Sequence, residues 1–185
     1  MAAVVRQEVA ADSAAVDRLV SDAFGPGRFA KSAYRLREGV KAISALGFVV
    51  EVDGKVAGTV RYWPVSISGT PAIMLGPIAV RADLQGQGFA LQLMQASLAR
   101  AKELGHRIVV LVGDEAYYAR AGFARILPPG RIRMPGPVDY NRVLGLELVP
   151  GALEGVTGEL CKPGVDEPQH AIGAGLSSFT PPAGK

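Results

Sequence analysis

The chain has 185 residues, a length that suits a single domain because typical domains run to about 100–200 residues. Hydrophobic residues make up 49% and charged residues 20%, which is the composition of a soluble globular protein with one buried core. The net charge of +3 suits an anionic small-molecule ligand but is too small and too scattered to indicate a nucleic-acid-binding surface.

Few side chains of the sequence are suited to metals or disulfides. The single cysteine, Cys161, excludes an intramolecular disulfide and a thiolate metal cluster. The only histidines are His106 and His170, so we expect no transition-metal site. Cys161 itself is interpreted as a small apolar filler, and His106, which follows a glycine at a helix end, as a partner of the helix dipole.

Neither a secretory signal nor a membrane span is expected. The N-terminal residues lack the basic start and the apolar run of a signal peptide. The uncharged stretch 62–80 approaches the length of a bilayer-spanning helix, but it contains Pro64, Pro71 and Pro77, which favours two strands and a turn. We therefore expect a cytoplasmic protein that does not enter a membrane.

The first part of the chain predicts a strand and two helices. Val4–Val9 is short and β-branched, as strands are. Asp12 is expected to cap a helix with apolar residues at helical spacing, which Gly25 and its neighbours end. A second, weaker helix is expected from Phe29 to about Glu38.

Three consecutive strands are predicted next. Two of them are joined at Asp53-Gly54, a dipeptide favoured in tight hairpins because it tolerates a positive φ. A turn at Ser68–Pro71 leads into the third strand, Ala72–Val80. These three strands are expected to form an antiparallel meander.

The remaining elements predict a parallel strand beside that meander. After the loop 81–88 comes a helix with apolar residues on one face and Gly105 at its C-terminal cap. The apolar segment Arg107–Val112 predicts a buried strand, and a right-handed crossover through the helix is expected to connect it to the meander. A short helix around Ala116–Ala121 and a last strand at Leu144–Val149 complete an α/β fold with a mixed sheet.

The loop before the long helix carries the clearest chemistry. Gly86 and Gly88 lie between a strand and a helix N-terminus, where unpaired amides and the helix dipole favour an anion such as a phosphate. Alone, such glycines are as often simple turn residues. Pro77, however, cannot donate a ladder hydrogen bond, so we expect a bulge that separates this strand from Arg107–Val112 and opens a slot between them. Main-chain groups of Ile78 and Val80 would then be free to pair with an extended ligand.

The motif Gln85–Ala90 resembles the Q/R-x-x-G-x-G/A motif of the GNAT superfamily of acetyl-CoA-dependent N-acetyltransferases. The preceding LGPIAV, the long helix and the later YYARAGF are similar to that family in the same order, so the resemblance covers roughly 4–149. The segment PGALEGVTGEL resembles a bacterial subgroup of predicted acetyltransferases. The resemblance implies a GNAT-like fold over residues 1–161, with 162–185 as a Pro/Gly-rich tail.

The resemblance also implies roles for particular residues. The pantetheine arm of acetyl-CoA would pair with Ile78, Ala79 and Val80, and an amide of that strand would polarise the thioester carbonyl. The CoA pyrophosphate would be held by amides of the residues Gly86, Gln87, Gly88, Phe89 and Ala90, with Leu91 adjoining.

Tyr118 falls on the tyrosine of the family's YxxxGF pattern, which commonly protonates the departing thiolate, and Phe123 on its aromatic core position. The alternative for Tyr118 is a core aromatic residue whose hydroxyl bonds to a backbone partner. Tyr117, one residue earlier, is the other candidate for the proton donor. Asp114, where relatives carry an Asn that contacts CoA, is expected to cap the short helix.

The general base is unassigned, because the strand Ala72–Val80 carries no carboxylate. Glu51 is the nearest substitute by topology, although an outward-facing strand position is favoured for it, and solvent could deprotonate the amine instead. Arg120 and three further cations are candidates for the nucleotide 3′-phosphate or for ordinary surface charges; these three are Arg81, Arg100 and Lys102. Trp63 and Tyr62 either shape the acceptor cleft or cover the sheet.

We therefore expect an acetyl-CoA-dependent N-acetyltransferase that acts by direct transfer to an amine of a small molecule or peptide. The acceptor pocket would be built from the loops Phe24–Arg37 and Arg131–Tyr140. A CoA-binding sensor without turnover and an acyltransferase with a longer acyl donor are the alternatives. The apolar strand Leu144–Val149 would permit a homodimer without requiring one.

Overall fold

A computed structural model describes residues 2–27 and 31–164 of the chain. The α-helices are α1 (Ser13–Phe24), α2 (Ser32–Arg37), α3 (Phe89–Glu103) and α4 (Glu115–Tyr118). The strands are β1 (Ala3–Gln7), β2 (Phe48–Val52), β3 (Lys55–Ile67), β4 (Thr70–Val80), β5 (Ile108–Val112), β6 (Ala124–Arg125), β7 (Ile132–Arg133), β8 (Val143–Glu147) and β9 (Gly158–Cys161).

The strands form a mixed sheet in the order β1-β2-β3-β4-β5-β8-β6. β1 to β4 are antiparallel neighbours, and β5 runs parallel to β4 after the crossover through α3. The predicted meander, parallel strand and mixed α/β class are therefore confirmed. β8 is paired with β5 on one side and with β6 on the other at Gly145, so that part of the strand has no free edge for a second copy.

Two tight hairpins connect the meander. Asp53 and Gly54 both have positive φ, at 49° and 78°, which is the conformation that a two-residue hairpin requires. Ser68 and Gly69, at 44° and 92°, form the second turn, which is shorter than the predicted Ser68–Pro71 because Thr70 already belongs to β4. The uncharged stretch 62–80 is thus a hairpin, and no helix within the described ranges is long and apolar enough to cross a bilayer.

The start of α1 differs from the prediction. The Asp12 carboxylate caps no amide of this helix and instead accepts hydrogen bonds from the Arg6 guanidinium at 2.7 and 2.9 Å and from the Val9 amide at 2.8 Å. Charge-assisted bonds to a guanidinium are stronger than a bond to a neutral amide, which explains the preference. The arginine also lowers the pKa of Asp12.

Helix α3 packs its apolar face on the sheet. Of the apolar face predicted from the sequence, Leu93, Met94, Leu98 and Ala101 are buried, and Ala90 and Leu104 are half-buried. A buried polar pair was missed: the Tyr62 and Ser97 hydroxyls lie 2.8 Å apart between β3 and α3. Apolar side chains form two main clusters, one that includes α3 and one that includes Leu36 of α2.

The sheet contains one more strand after the predicted last strand. β9 follows β8 and pairs with the far end of β3, where Ser66 lies opposite Cys161. Its four residues are too few to show a period, which is why the sequence did not predict it. Cys161 is exposed, and its thiol donates to the Ser66 carbonyl at 3.4 Å, so its interpretation as a core filler was wrong. Residues 165–185, which include most of the predicted tail, lie outside the described residues.

Candidate functional site

A β-bulge interrupts β4 at the predicted proline. Val60 pairs with Ile78 and Tyr62 with Leu75, so Gly76 and Pro77 share the place opposite Arg61. The Trp63 indole nitrogen donates to the Gly76 carbonyl at 2.7 Å and fixes the bulge from the neighbouring strand. The bulge therefore lies in the middle of the sheet.

The two parallel strands are paired only before the bulge. Their register contains Ile73 with Val109 and Met74 with Val110, whereas β4 continues to Val80. A cavity of about 440 Å³ opens beyond this point, beside the N-terminus of α3. We call it the first cavity. It is lined by residues of α1, β4, the following loop, α3, α4 and the turn after α4, among them Ile78, Ala79, Val80, Gly86, Gly88, Phe89, Ala90, Leu91, Tyr117, Tyr118 and Arg120.

The glycine loop forms an open cradle at the start of α3. Gly88 is the N-cap residue with a φ of 84°, and Gly86 has a φ of 78°. A β-carbon built on either glycine would meet no atom within 4 Å, so the space in front of both is open. The Gln85 side chain donates to the Val80 carbonyl at 3.2 Å and closes the loop behind them. Free first-turn amides of α3 therefore face space that an anion can enter.

Nearly all predicted ligand-binding residues lie together. The three residues of β4, both glycines and the first three residues of α3 line the first cavity, but Gln87 does not. The Phe89 side chain is buried in the core, so its backbone is the part available to a ligand.

Tyr118 lies where two cavities meet. Its ring contacts that of Phe123 edge-on at 6.0 Å, and Phe123 is buried at the predicted core position. Burial raises the pKa of Tyr118 to about 12, so its hydroxyl is protonated at neutral pH. Tyr117 is 42% exposed and packs edge-on against Tyr118 at 5.0 Å. The Asp114 carboxylate accepts a hydrogen bond from the Tyr117 amide at 3.3 Å, as expected of a helix cap.

The second cavity measures about 550 Å³ and lies on the other side of Tyr118. It shares Phe24, Ile78 and Tyr118 with the first cavity. Both loops predicted to form an acceptor pocket contribute to it, through the range 31–37 and through Pro137 and Val138. Residues 28–30, where the second helix was expected to begin, lie outside the described residues.

Arg37 is the last residue of the loop predicted to border the acceptor pocket, but the sequence assigned it no role of its own. Burial lowers the pKa of Arg37 to about 10, and its Nε atom has no hydrogen-bond partner within the described ranges. The guanidinium carbon lies 5.3 Å from the ring centre of Tyr34 and 5.8 Å from that of Trp63. A β-carbon at Gly76 would lie 2.6 Å from its Nη2 atom, so the bulge glycine makes room for it.

The interpretation of His106 was wrong, and the two alternatives left open for Tyr62 and Trp63 apply to different residues. His106 is buried, its Nδ1 atom has no partner within the described part of the chain, and burial lowers its pKa, so it is not a cation at the helix end. Tyr62 and Trp63 do not share a role: Tyr62 is buried in the core, whereas Trp63 faces the bulge and Arg37.

Some of the charged candidate residues line a cavity, and others form ion pairs elsewhere. Glu51 pairs with Arg6 at 2.9 Å and lines neither cavity, as its favoured outward-facing position implied. Of the cations considered for a phosphate, Arg120 lines the first cavity. Arg81 instead pairs with Asp83, and Arg100 with Glu103.

The sequence profile described as Acetyltransferase (GNAT) family matches residues 14–123. The E. coli N-acetyltransferase YhbS is 35% identical over 159 residues, which are 84% of this chain and 93% of that protein. A crystal structure of E. coli YhbS in complex with CoA superposes with a TM-score of 0.73 at 33% identity, covering 87% of this chain and 89% of the other. A GNAT acetyltransferase from Brucella melitensis in complex with acetyl-CoA gives 0.63 at 26% identity, covering 88% and 96%.

Proposed function

This chain belongs to the GNAT family of N-acetyltransferases, and we propose that it transfers an acetyl group from acetyl-CoA to the amine of a small molecule or peptide. The observation that carries the proposal is the first cavity, in which a bulged strand and a glycine cradle line one continuous space. Relatives with bound CoA and acetyl-CoA support the choice of donor.

The cradle suits a diphosphate in shape and in charge. Amides of residues 86–90, with Leu91 adjoining, would hold the pyrophosphate, because the positive end of α3 favours an anion there. Gln87 lies outside the cavity lining, so only its backbone amide would take part. Arg120 lies at the same cavity and would serve a phosphate.

The bulged strand would hold the pantetheine arm. Beyond the last β4–β5 pair, Ile78, Ala79 and Val80 line the slot, and an extended arm with amide groups could pair with their main-chain atoms. An amide of this segment would donate to the thioester carbonyl and make its carbon more electrophilic. Acetyl-CoA supplies the activated acetyl group.

Tyr118 is proposed as the proton donor to the departing sulfur. The neutral amine nitrogen forms a bond to the acetyl carbon, the carbon–sulfur bond breaks, and the thiolate takes the Tyr118 proton. The proton that the nitrogen loses returns to Tyr118 through water, so a neutral amine reacts without net proton exchange. Because the pKa of Tyr118 is about 12, the hydroxyl stays protonated between turnovers.

Solvent is proposed to deprotonate the amine. Within the described part of the chain, no Asp or Glu lines either cavity, and Glu51 is held by Arg6. The acceptor would therefore enter as the neutral amine, and kcat/KM would rise with pH in step with the amine's own ionisation.

A thiol-release assay tests this function. Purified protein, acetyl-CoA and a panel of amines are expected to give free CoA only when an accepted amine is present. If calorimetry shows CoA binding but no amine ever releases thiol, the protein is a CoA-binding sensor and the proposal fails. The same assay with longer acyl-CoA donors decides between acetyl transfer and the transfer of a longer group.

A cytoplasmic location and a homodimer stay predictions.

A further inference from the structure

The second cavity is positively charged. Four cationic side chains line it; within the described ranges Asp17 and Glu38 line an adjoining cavity that shares Arg37, but no acidic residue lines this one. These cations are Lys31, Arg35, Arg37 and Arg142. Apart from Ser32, the rest of the wall is apolar or aromatic, so the charges would act across a partly apolar space. A cavity of this sign and size would attract a small anionic molecule.

Arg37 is the member of this set that burial affects most. A buried guanidinium is normally paired with a carboxylate, because removing a charge from water is costly unless an opposite charge compensates. No ion pair or hydrogen bond to Arg37 is found among the described residues; its contacts are the ring faces of Tyr34 and Trp63. Its Nε–H points to no acceptor. The protein thus holds a half-buried cation whose Nε atom is buried and which has no carboxylate partner among the described residues.

We propose that the acceptor amine carries a carboxylate and that Arg37 binds this carboxylate in the second cavity. The inference rests on the proposed function, since it names the substrate class of the same site. Tyr118 and Ile78 border both cavities, so an acceptor bound here can direct its amine to the thioester while its other end points to Arg37.

The chemistry of the guanidinium favours a carboxylate over a phosphate. Arginine binds a carboxylate through two parallel N–H···O bonds in one plane, and the aromatic faces of Tyr34 and Trp63 leave the guanidinium edge as the hydrogen-bonding direction. The neighbouring walls are apolar at Leu75, Val112 and Val138, which suits the carbon skeleton of an amino acid or ω-amino acid.

The first arm of the test is a comparison of matched acceptors. Amino acids and ω-amino acids are assayed with acetyl-CoA against their carboxamides and their phosphonate analogues. We expect kcat/KM to be at least about 30-fold higher for the acid than for its amide, because losing one partner of a buried charge pair costs about 2 kcal/mol or more. The proposal is overturned if the carboxamides react as well as the amino acids, or if the phosphonate analogues react better.

The second arm measures binding without turnover. Calorimetry follows N-acetylated amino acids, as products, binding to the protein with CoA. The Arg37→Met variant is expected to lose product affinity at least about 30-fold while its CoA affinity and Tm stay near those of the parent. Arg100→Met is the control with the same charge change outside both cavities, since Arg100 pairs with Glu103 on the surface. Equal product affinity in Arg37→Met and the parent overturns the proposal.

The outcomes separate the two levels of inference. Thiol release with amines that lack a carboxylate, together with unchanged kinetics in Arg37→Met, leaves the acetyltransferase function intact and overturns the acceptor class. Product binding that depends on Arg37, without thiol release from any amine, supports the anion site and overturns the catalytic function. Absence of product binding in the parent protein overturns the carboxylate site in either case.

Discussion

The absence of a side chain at Gly113 allows the Tyr118 ring to occupy its position. A β-carbon at Gly113 would overlap Cε2 of that ring and lie 2.8 Å from its Cδ2. Real β-carbons essentially never approach another atom below 3.0 Å, and the ring is held from its other side by Phe123. The residue that follows β5 therefore determines where the proposed proton donor lies between the two cavities.

Gly113→Ala is expected to displace Tyr118 and to slow the reaction. The methyl group must push the ring away, and a shift of about 1 Å at a reacting group can reduce the rate roughly 100-fold. Because the cradle glycines do not contact Gly113, CoA affinity should change little. Steady-state kinetics with any accepted amine measures kcat, and calorimetry measures CoA binding. Gly164→Ala, at a glycine with open space and no positive φ, is the control and should keep the parent rate.

Tyr118→Phe should lower kcat by about 100-fold or more and leave CoA affinity near the parent value, since the change removes a proton donor but keeps the ring. Tyr117→Phe is the matched control on the neighbouring residue, which is more exposed and borders only the first cavity. If the rate survives in Tyr118→Phe and collapses in Tyr117→Phe, the proton donor is Tyr117. If both variants keep the parent rate, neither hydroxyl donates the proton.

The pKa of about 12 gives Tyr118 a distinct pH behaviour. A free phenol ionises near 10, so the folded protein holds this proton more tightly than the unfolded chain. Its effect on the free energy of unfolding is constant below about pH 10, and stability falls above that as the unfolded chain alone loses the proton. Between about pH 9 and 11, the phenolate absorbance of the parent and of Tyr118→Phe should coincide. A difference of one tyrosine near pH 10 contradicts the assignment.

The sequence predicted the parts of the site that depend on main-chain geometry. A proline inside a strand leaves a ladder position without a donor, and glycines before a helix expose amides, so both signals at Pro77 and Gly88 are local and were confirmed as structure. The crossover to β5 followed from the same local patterns. The roles of these residues toward acetyl-CoA stay predictions.

The sequence did not predict contacts that depend on distant partners. Arg37 faces the cavity because β3 brings Trp63 and the bulge brings Gly76 beside it, and nothing near Arg37 in the chain indicates this. Asp12 differs, because its partner is close in the chain: its position suited a helix cap, but Arg6 of β1 binds its carboxylate. β9 combines both difficulties, because it is too short to show a period and its pairing with β3 joins distant segments.

The buried pair of Tyr62 and Ser97 is expected to respond asymmetrically to mutation. Ser97 donates to the Leu93 carbonyl at 2.7 Å, so the tyrosine hydroxyl donates to Ser97. Tyr62→Phe removes one hydrogen bond and should cost about 1 kcal/mol, whereas Ser97→Ala leaves a buried donor unsatisfied and should cost about 1–3 kcal/mol. Denaturant unfolding measures both. The double variant should be more stable than Ser97→Ala alone; equal stability of the two would contradict this arrangement.

Gly88→Glu should abolish CoA binding in a protein that still folds. Its carboxylate would fill the open space before α3 and repel the diphosphate, which predicts a loss of affinity of roughly 100-fold or more. The positive φ of 84° adds about 1–2 kcal/mol of backbone strain, so the control must carry the same strain. Gly130→Glu meets this requirement, because Gly130 has a φ of 83°, has no atom within 4 Å of a built β-carbon and lines neither cavity. Calorimetry should show parent-like CoA affinity in Gly130→Glu and none in Gly88→Glu. Tight CoA binding by a folded Gly88→Glu protein would remove the cradle from the proposed mechanism, since no amide at that turn could then be holding the diphosphate.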